Sequence, residues 1–375
     1  MNFTHLHVHT EYSLLDGSNK INEYVARVKE LGMNSAAITD HGVMFGCIDF
    51  YRAAKAAGIK PILGCEVYVA PGSRFDREIG QAEDRYYHLV LLAENNHGYE
   101  NLMKIVSKAF VDGFYYKPRV DMELLQEYHE GIIALSACLA GEVAKNITRG
   151  MYEEAKSAAL RYEEIFGKGN FFLELQDHGI PQQQRVNQQL LRMSQETGIG
   201  LVATNDVHYT YDTDAEAHDI LLCVQTRKLL SDENRMRYEG GQYYVKSPEE
   251  MAELFPYIPE ALENTQKIAD RCEVEIEFGV TKLPKFDVPA PYTSWEYLNK
   301  LCYDGLKERY TGDLTELEKR LEYELGVIKT MGYVDYFLIV WDFIRFARDH
   351  DIMVGPGRGS AAGSLVSYTL GITKL

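Results

Sequence analysis

The segment HLHVHTEYSLLDG, residues 5–17, sets histidines at positions 5, 7 and 9 and an aspartate at 16. On extended backbone, residues two apart project from one face, so the three imidazoles lie together while Leu6 and Val8 take the other side. Neighbouring imidazoles suit a metal ion, and a polar strand with solvated histidines would read the same way. Further polar groups recur where short apolar runs end. They are Asp40 and His41 in TDHG, Glu66 in GCE, His88 in YYHL, Cys138 in SACLAGE, Asp177 and His178 in LQDHG, and Asp206 and His208 in NDVH. Singly, each has an ordinary explanation: His88 as a satisfied core histidine, Cys138 as a small buried hydrophobe, Asp16 as a turn residue before Gly17. Jointly, so many imidazoles and carboxylates at one place would suffer repulsion and desolvation unless cations shared it. Imidazole, carboxylate and thiol donors together suit zinc, manganese or iron. Even nine donors drawn from these would exceed the shell of one ion, which implies two or three divalent ions and a hydrolytic site of the kind used on phosphate esters.

The runs that carry these residues are short and apolar, and they alternate with longer segments of helical period, the pattern of βα units around a parallel sheet or barrel. Seven strands are expected, at 3–9, 35–39, 61–70, 86–93, 131–137, 171–176 and 199–206. Barrel enzymes carry their chemistry at the carboxyl ends of strands. After about Glu275 the alternation stops, and LPKFDVPAPYTS reads as a proline-rich connector, dividing the chain into 1–280 and 281–375. The second unit is helical until GPGRGSAAGS, residues 355–364. That stretch lacks the Gly-Lys-Ser/Thr of a Walker A loop. A glycine-rich turn feeding a helix from near Ser360 would let free amides, the Ser360 hydroxyl and Arg358 face an anion, or it is an ordinary turn capped by serine.

Composition narrows the class. With 375 residues and 46% hydrophobic content the chain can bury a substantial core. The start MNFTHLHVHT has no basic and apolar leader, and FLIVW at Phe337–Trp341 is too short to span a bilayer, so a cytoplasmic protein without a membrane partner is expected. Six scattered cysteines with no C-x-x-C pair argue against a disulfide framework and a zinc ribbon. A formal charge of −17 would repel a polyanion, so any nucleic acid must be held by local basic patches or bound cations.

His7-x-His9, Asp16, Thr39-Asp40-His41-Gly42, Glu66, His88, Cys138 and Asn205-Asp206-Val207-His208 together resemble the polymerase and histidinol phosphatase (PHP) family. The resemblance implies an α/β fold, a distorted (β/α)7 barrel. It further implies that His7, His9 and Asp206 hold one ion, that Glu66 bridges it to a second held by His88 and Cys138, and that Asp16, His41 and His208 hold a third. Cys138 stands where other relatives carry histidine. His5 takes the place where many carry aspartate ahead of the histidine pair, which leaves it an outer role; His178 would orient ligands or bind phosphate.

The later stretches MGYVDYFLIVWDFIRFA and GPGRGSAAGSLVSY extend the resemblance to bacterial replicative polymerases, with the start of a polymerase-beta-like nucleotidyltransferase palm. This implies that Arg358, Gly359 and Ser360 contact a nucleotide triphosphate. The family's metal-binding aspartates would lie beyond GITKL, so a fragment of a longer chain is expected. The implied partners are a DNA primer-template, the remaining palm, fingers and thumb, and a sliding clamp and other replisome subunits, with magnesium at the polymerase centre. The activity implied for the barrel is a metal-dependent phosphodiesterase, a 3'-5' proofreading exonuclease with His7, His9, Asp16, Glu66 and Asp206 as catalytic groups. Lys117 and Arg119 in FYYKPR would guide the strand. The alternatives are a phosphomonoesterase for small molecules and a structural metal domain that stiffens a polymerase and docks an exonuclease subunit.

Overall fold

Seven short strands build one mixed sheet in a computed structural model that describes residues 2–77 and 85–374. They are β1 (Ser35–Ile38), β2 (Lys60–Val69), β3 (Tyr87–Ala93), β4 (Arg119–Val120), β5 (Ile132–Leu135), β6 (Phe171–Leu175) and β7 (Gly200–Ala203). Their order is β1-β2-β3-β5-β6-β7, with β4 beside the end of β2. The strands read as nearly unbroken apolar runs because both faces are covered. Along β3 the two faces separate with period two. Leu89, Leu91 and Ala93 join the outer core under the helices, while Val90 and Leu92 join an inner core with Leu6, Ile62, Leu135 and Val202. Ile268 and Ala269 of the helix Pro259–Arg271 pack into that inner core. Each such fully buried aliphatic side chain contributes about 1.5–3 kcal/mol.

Two expectations change here. The sheet is not parallel throughout, because β3 runs antiparallel to both β2 and β5. Its connection from β2 contains no helix among the described residues, and only a parallel return requires a long crossover. The expected first strand, 3–9, is not a regular ladder strand. It lies extended between β1 and the chain after β7: Ala37 and Thr39 donate their N–H groups to the carbonyls of His5 and Val8, while His9 N–H donates to Val207 and Val207 N–H to His7. This segment closes the curled sheet into a distorted barrel. The ladder is broken because its own N–H groups go to side chains, Thr4 to Thr265 Oγ1, Val8 to Thr39 Oγ1 and Thr10 to Asp40 Oδ1.

The chain divides into two compact units, Met1–Ile276 and Glu277–Leu375. In the second, helices Ser294–Arg309, Thr315–Thr330, Val334–Asp349 and Leu365–Thr369 surround Leu298, Leu306, Leu321, Leu325, Leu338 and Val366. The helix expected from Ser360 begins instead at Leu365. Residues 359–363 form a single 3-10 turn, and the Ser364 hydroxyl accepts from Ser367 N–H at 3.1 Å as the cap. Gly357 and Gly359, at φ +120° and +61°, hold left-handed backbone that keeps a helix from extending back through them. Among the described residues no helix is long and apolar enough to cross a membrane.

Candidate metal centre

The barrel interior is apolar at the end plugged by Ile268 and densely polar at the other, where β2 carries Glu66 into the mouth. Glu66 is 1% exposed. Its Oε1 lies 3.2 Å from His7 Nε2 and 3.0 Å from His88 Nδ1; its Oε2 lies 2.7 Å from His41 Nδ1 and 3.5 Å from His9 Nε2. Asp206 Oδ1 is 3.2 Å from both His7 Nε2 and His9 Nε2, and 3.7 Å from His208 Nδ1. Asp16 Oδ2 sits 2.9 Å from His41 Nε2, and Cys138 Sγ 3.8 Å from His88 Nδ1. His88 reaches the mouth because β3 is reversed, so that the start of that strand, not its end, faces the site. Asp206 takes left-handed backbone at φ +44°, which aspartate tolerates and which turns its carboxylate into the cluster. Gly17 secures the Asp16 loop, since a Cβ there would meet the Thr10 carbonyl oxygen at 2.2 Å.

Outer hydrogen bonds fix which nitrogen of each ring faces inward. His7 Nδ1 contacts Glu174 Oε1 at 2.7 Å, and Glu174 also accepts from Gln176 Nε2 at 3.0 Å and from the Thr204 hydroxyl. The Ser13 hydroxyl gives its proton to Asp40 Oδ1 at 2.7 Å, so it accepts from His9 Nδ1 at 3.1 Å. His208 Nδ1 donates to the Asp206 carbonyl at 2.7 Å. In all three the proton is held on Nδ1; for His7 and His9 this leaves the Nε2 lone pair free, the arrangement that prepares imidazole for a metal, whereas His208 Nε2 meets the Tyr238 hydroxyl at 3.2 Å.

The cluster fits divalent cations on its own atoms. His7 Nε2, His9 Nε2, His41 Nδ1, Glu66 Oε2 and Asp206 Oδ1 are buried without a hydrogen-bond partner, and they point at one another. Among the described residues, three sets of donors lie within 4.8 Å of each other: His7, His9 and Glu66; His9, His41 and His208; and His41, Glu66 and His88. Without cations, protons serve in their place. Burial raises the Glu66 carboxyl, but His88, His7 and His41 outweigh it and hold it well below the ordinary carboxylate range. Asp206 and Asp16 are likewise lowered by neighbouring histidines against the effect of burial. Burial lowers His41, yet Glu66 and Asp16 push it up to about 10, and Asp206, Glu174 and Glu66 raise His7 well above 6.5. Burial, with His41 and His208 nearby, drives His9 well below 6.5.

Several residues flagged in the sequence lie elsewhere or do other work. Arg119 is fully buried, and its guanidinium donates to the carbonyls of Gly113, Arg74 and Asp76, so it is a brace of the fold and not a DNA contact. Lys117 lies at the mouth of the site. Asp40 accepts from Thr10 and Ser13 and props the loop behind His9. Asp177 closes a turn through Gly179 N–H. His5 contacts the Lys246 carbonyl at 2.8 Å. Both nitrogens of His178 are engaged, by Gln183 Nε2 and by the Asn205 carbonyl, so it positions the residue before Asp206 and has no nitrogen left for phosphate. Arg358, Gly359 and Ser360 are exposed. Ser13 behind His9 escaped sequence reasoning, as did Glu174 and Tyr238. Glu174 is an acid inside the apolar run FFLEL, a signal that was available; Tyr238, whose hydroxyl lies 3.2 Å from His208 Nε2, sits in a loop with none.

Residues 5–178 match the PHP domain family, and residues 296–375 match the bacterial DNA polymerase III alpha NTPase domain family. Over its whole length the chain is 49% identical to the DNA polymerase III subunit alpha of Treponema pallidum, of which it covers 32%. It is 48% identical to the corresponding subunits of Borreliella burgdorferi and Helicobacter pylori, covering 33% of each. The chain therefore spans about a third of the length of the curated relatives it matches.

Proposed function

We propose that this member of the bacterial DNA polymerase III alpha family uses its PHP barrel to hydrolyse phosphodiesters at the 3' end of DNA, as a metal-dependent 3'-5' exonuclease. The observation that carries the reading is the set of buried donors without hydrogen-bond partners, with the His7 and His9 rings each aimed by an outer acceptor. His7, His9 and Asp206 would hold one divalent ion, with Glu66 shared toward a second at His88 and Cys138, and Asp16, His41 and His208 would hold a third; zinc, manganese and iron all suit these donors. Bound there, such ions lower the pKa of water and neutralise phosphate charge. The chain's own part is to keep the donors rigid through Glu174, Ser13 and Asp40; the ions they hold would supply local positive charge in a chain whose net charge is −17.

A cleft of about 670 Å³ opens on Asp16, His41 and His88. It favours hydrolysis over a purely structural metal role, which calls for a closed shell. The second unit would begin the polymerase palm, with magnesium, primer-template, sliding clamp and other replisome subunits engaged by the full-length protein. The test is metal analysis of the purified chain with digestion of a 3'-labelled primer, with and without chelator, for wild type, His9→Ala and Asp16→Asn. Loss of digestion in both variants with the fold retained is expected; equal digestion by either overturns the assignment. A sugar phosphate hydrolysed in preference to the primer end would move the reading to a small-molecule phosphatase.

A further inference from the structure

The cleft above the metal centre is not lined as a bare hydrolytic pit would be. Beside His41 and His88 stand Tyr68, Tyr86 and Lys117. The Tyr68 ring stacks on His41 at 6.1 Å and meets Tyr86 edge-on at 4.9 Å, while Tyr86 lies parallel to His88 at 6.1 Å. A row of rings thus runs from the cluster outward. Tyr86 is half-buried, and neither Tyr68 nor Tyr86 spends its hydroxyl on a hydrogen bond among the described residues. Lys117 holds its ammonium 5.2 Å over the Tyr68 ring and pairs with no carboxylate among the described residues. In a chain of net charge −17, a half-buried lysine beside a cation site, with no acidic partner among the described residues, is placed for an anion.

We infer that Tyr68, Tyr86 and Lys117 form the subsite for the terminal nucleotide of a DNA strand whose end is unpaired, so that the cleft selects frayed or mismatched 3' ends. The inference rests on the hydrolytic reading above and deepens it. Glu66 and His7 are buried below the surface, so the scissile phosphate must descend into the cleft, and its nucleotide must leave the duplex stack to follow. That departure costs least when the base is mismatched or already single-stranded. An aromatic wall accepts any base by stacking, and a lone ammonium takes the phosphate without reading sequence.

The test uses a primer with 2-aminopurine at its 3' terminus and a phosphorothioate at the last linkage, bound in manganese. Wild type should bind a mismatched end more tightly than a paired one and quench the probe on binding. Tyr86→Leu should lose the quench and weaken the mismatched end about 5- to 150-fold, the range for one base stacked on a ring. Tyr86→Phe should retain both. Lys117→Gln should weaken all ends alike and flatten the salt dependence. Melting curves and metal content confirm that each variant is folded. Equal wild-type binding of paired and mismatched ends, or unchanged binding by Tyr86→Leu, overturns the subsite. Digestion of the unmodified primer is scored separately: the predicted binding pattern without cleavage leaves the subsite standing and removes the hydrolytic reading.

Discussion

The barrel mouth and the glycine-rich segment 355–364 both carry residues that look chemical in the sequence, and the structure treats them in opposite ways. At the mouth, every imidazole is buried or half-buried, and most have a named partner behind them: Glu174 behind His7, Ser13 behind His9, the Asp206 carbonyl behind His208. In the segment, Arg358, Gly359 and Ser360 are exposed, and the only capping hydroxyl belongs to Ser364. A motif thus carries chemistry when the surrounding fold over-determines its geometry. A glycine-rich turn on a surface does not meet that condition by itself.

The strongest way to break this contrast is at its hub. Glu66 touches His7, His9, His41 and His88, so Glu66→Gln removes the negative charge that all four share. We expect the loss of at least one bound cation per chain and a drop in 3'-end hydrolysis beyond about a hundredfold, the upper range for disturbing a mere supporting group. Atomic emission on the dialysed protein reads the first and primer digestion the second. Unchanged cation content would mean that the donors meet for some other reason. Glu174→Gln sharpens the same point from behind. It touches no cation position but holds His7 Nδ1 at 2.7 Å, and should weaken metal affinity about 10- to 100-fold in a competitive chelator titration. Arg358→Gln should leave that titration where it was.

Acidity separates the two regions next. His41, raised to about 10, contributes stability that is complete below the unfolded histidine value of about 6.5 and is lost as pH rises through 10; His7 behaves likewise. Glu66, Asp206 and Asp16 are depressed, so their contribution is present above about pH 4 and fades only as pH falls through their lowered values. The chelated chain should therefore lose melting temperature between pH 7 and 10. Saturating manganese should flatten that loss, because cations then compensate the carboxylates in place of protons, and metal affinity should climb over the same interval. Calorimetry across that range, with and without metal, decides it; a flat metal-free profile would contradict the charge pairing.

What the sequence disclosed follows from range. Residues at the ends of apolar runs could be recognised, because a strand's end is marked locally by the polar residue that terminates it, as at TDHG and NDVH. The direction of β3 could not, since it shows only in the antiparallel pairing of β3 with β2 and β5, which no local pattern records. Nor could the interrupted ladder of residues 3–9, whose N–H groups are captured by Thr265, Thr39 and Asp40 from distant parts of the chain. Arg119 misled for a related reason. Its partners are three backbone carbonyls, which no side-chain pattern reveals, and an arginine in an aromatic run reads as surface until its burial is seen. Glu174 was legible in principle: a lone acid within FFLEL must be paired or strained.

The smallest effect tests the other side of the comparison. Ser364 caps the helix Leu365–Thr369 and donates to Glu324 Oε2 at 3.0 Å, so Ser364→Ala removes a cap and an anchoring bond together. A loss of about 1 kcal/mol is expected, confined to the second unit, whose unfolding the tryptophans Trp295 and Trp341 report, while cation content of the barrel stays unchanged. Ser360→Ala, at an exposed position within the 3-10 turn, should leave the same transition in place. If Ser360 proved the costlier of the two, the helix would have to begin where the glycine pattern first suggested, and the exposed segment would hold its serine as firmly as the barrel holds its histidines.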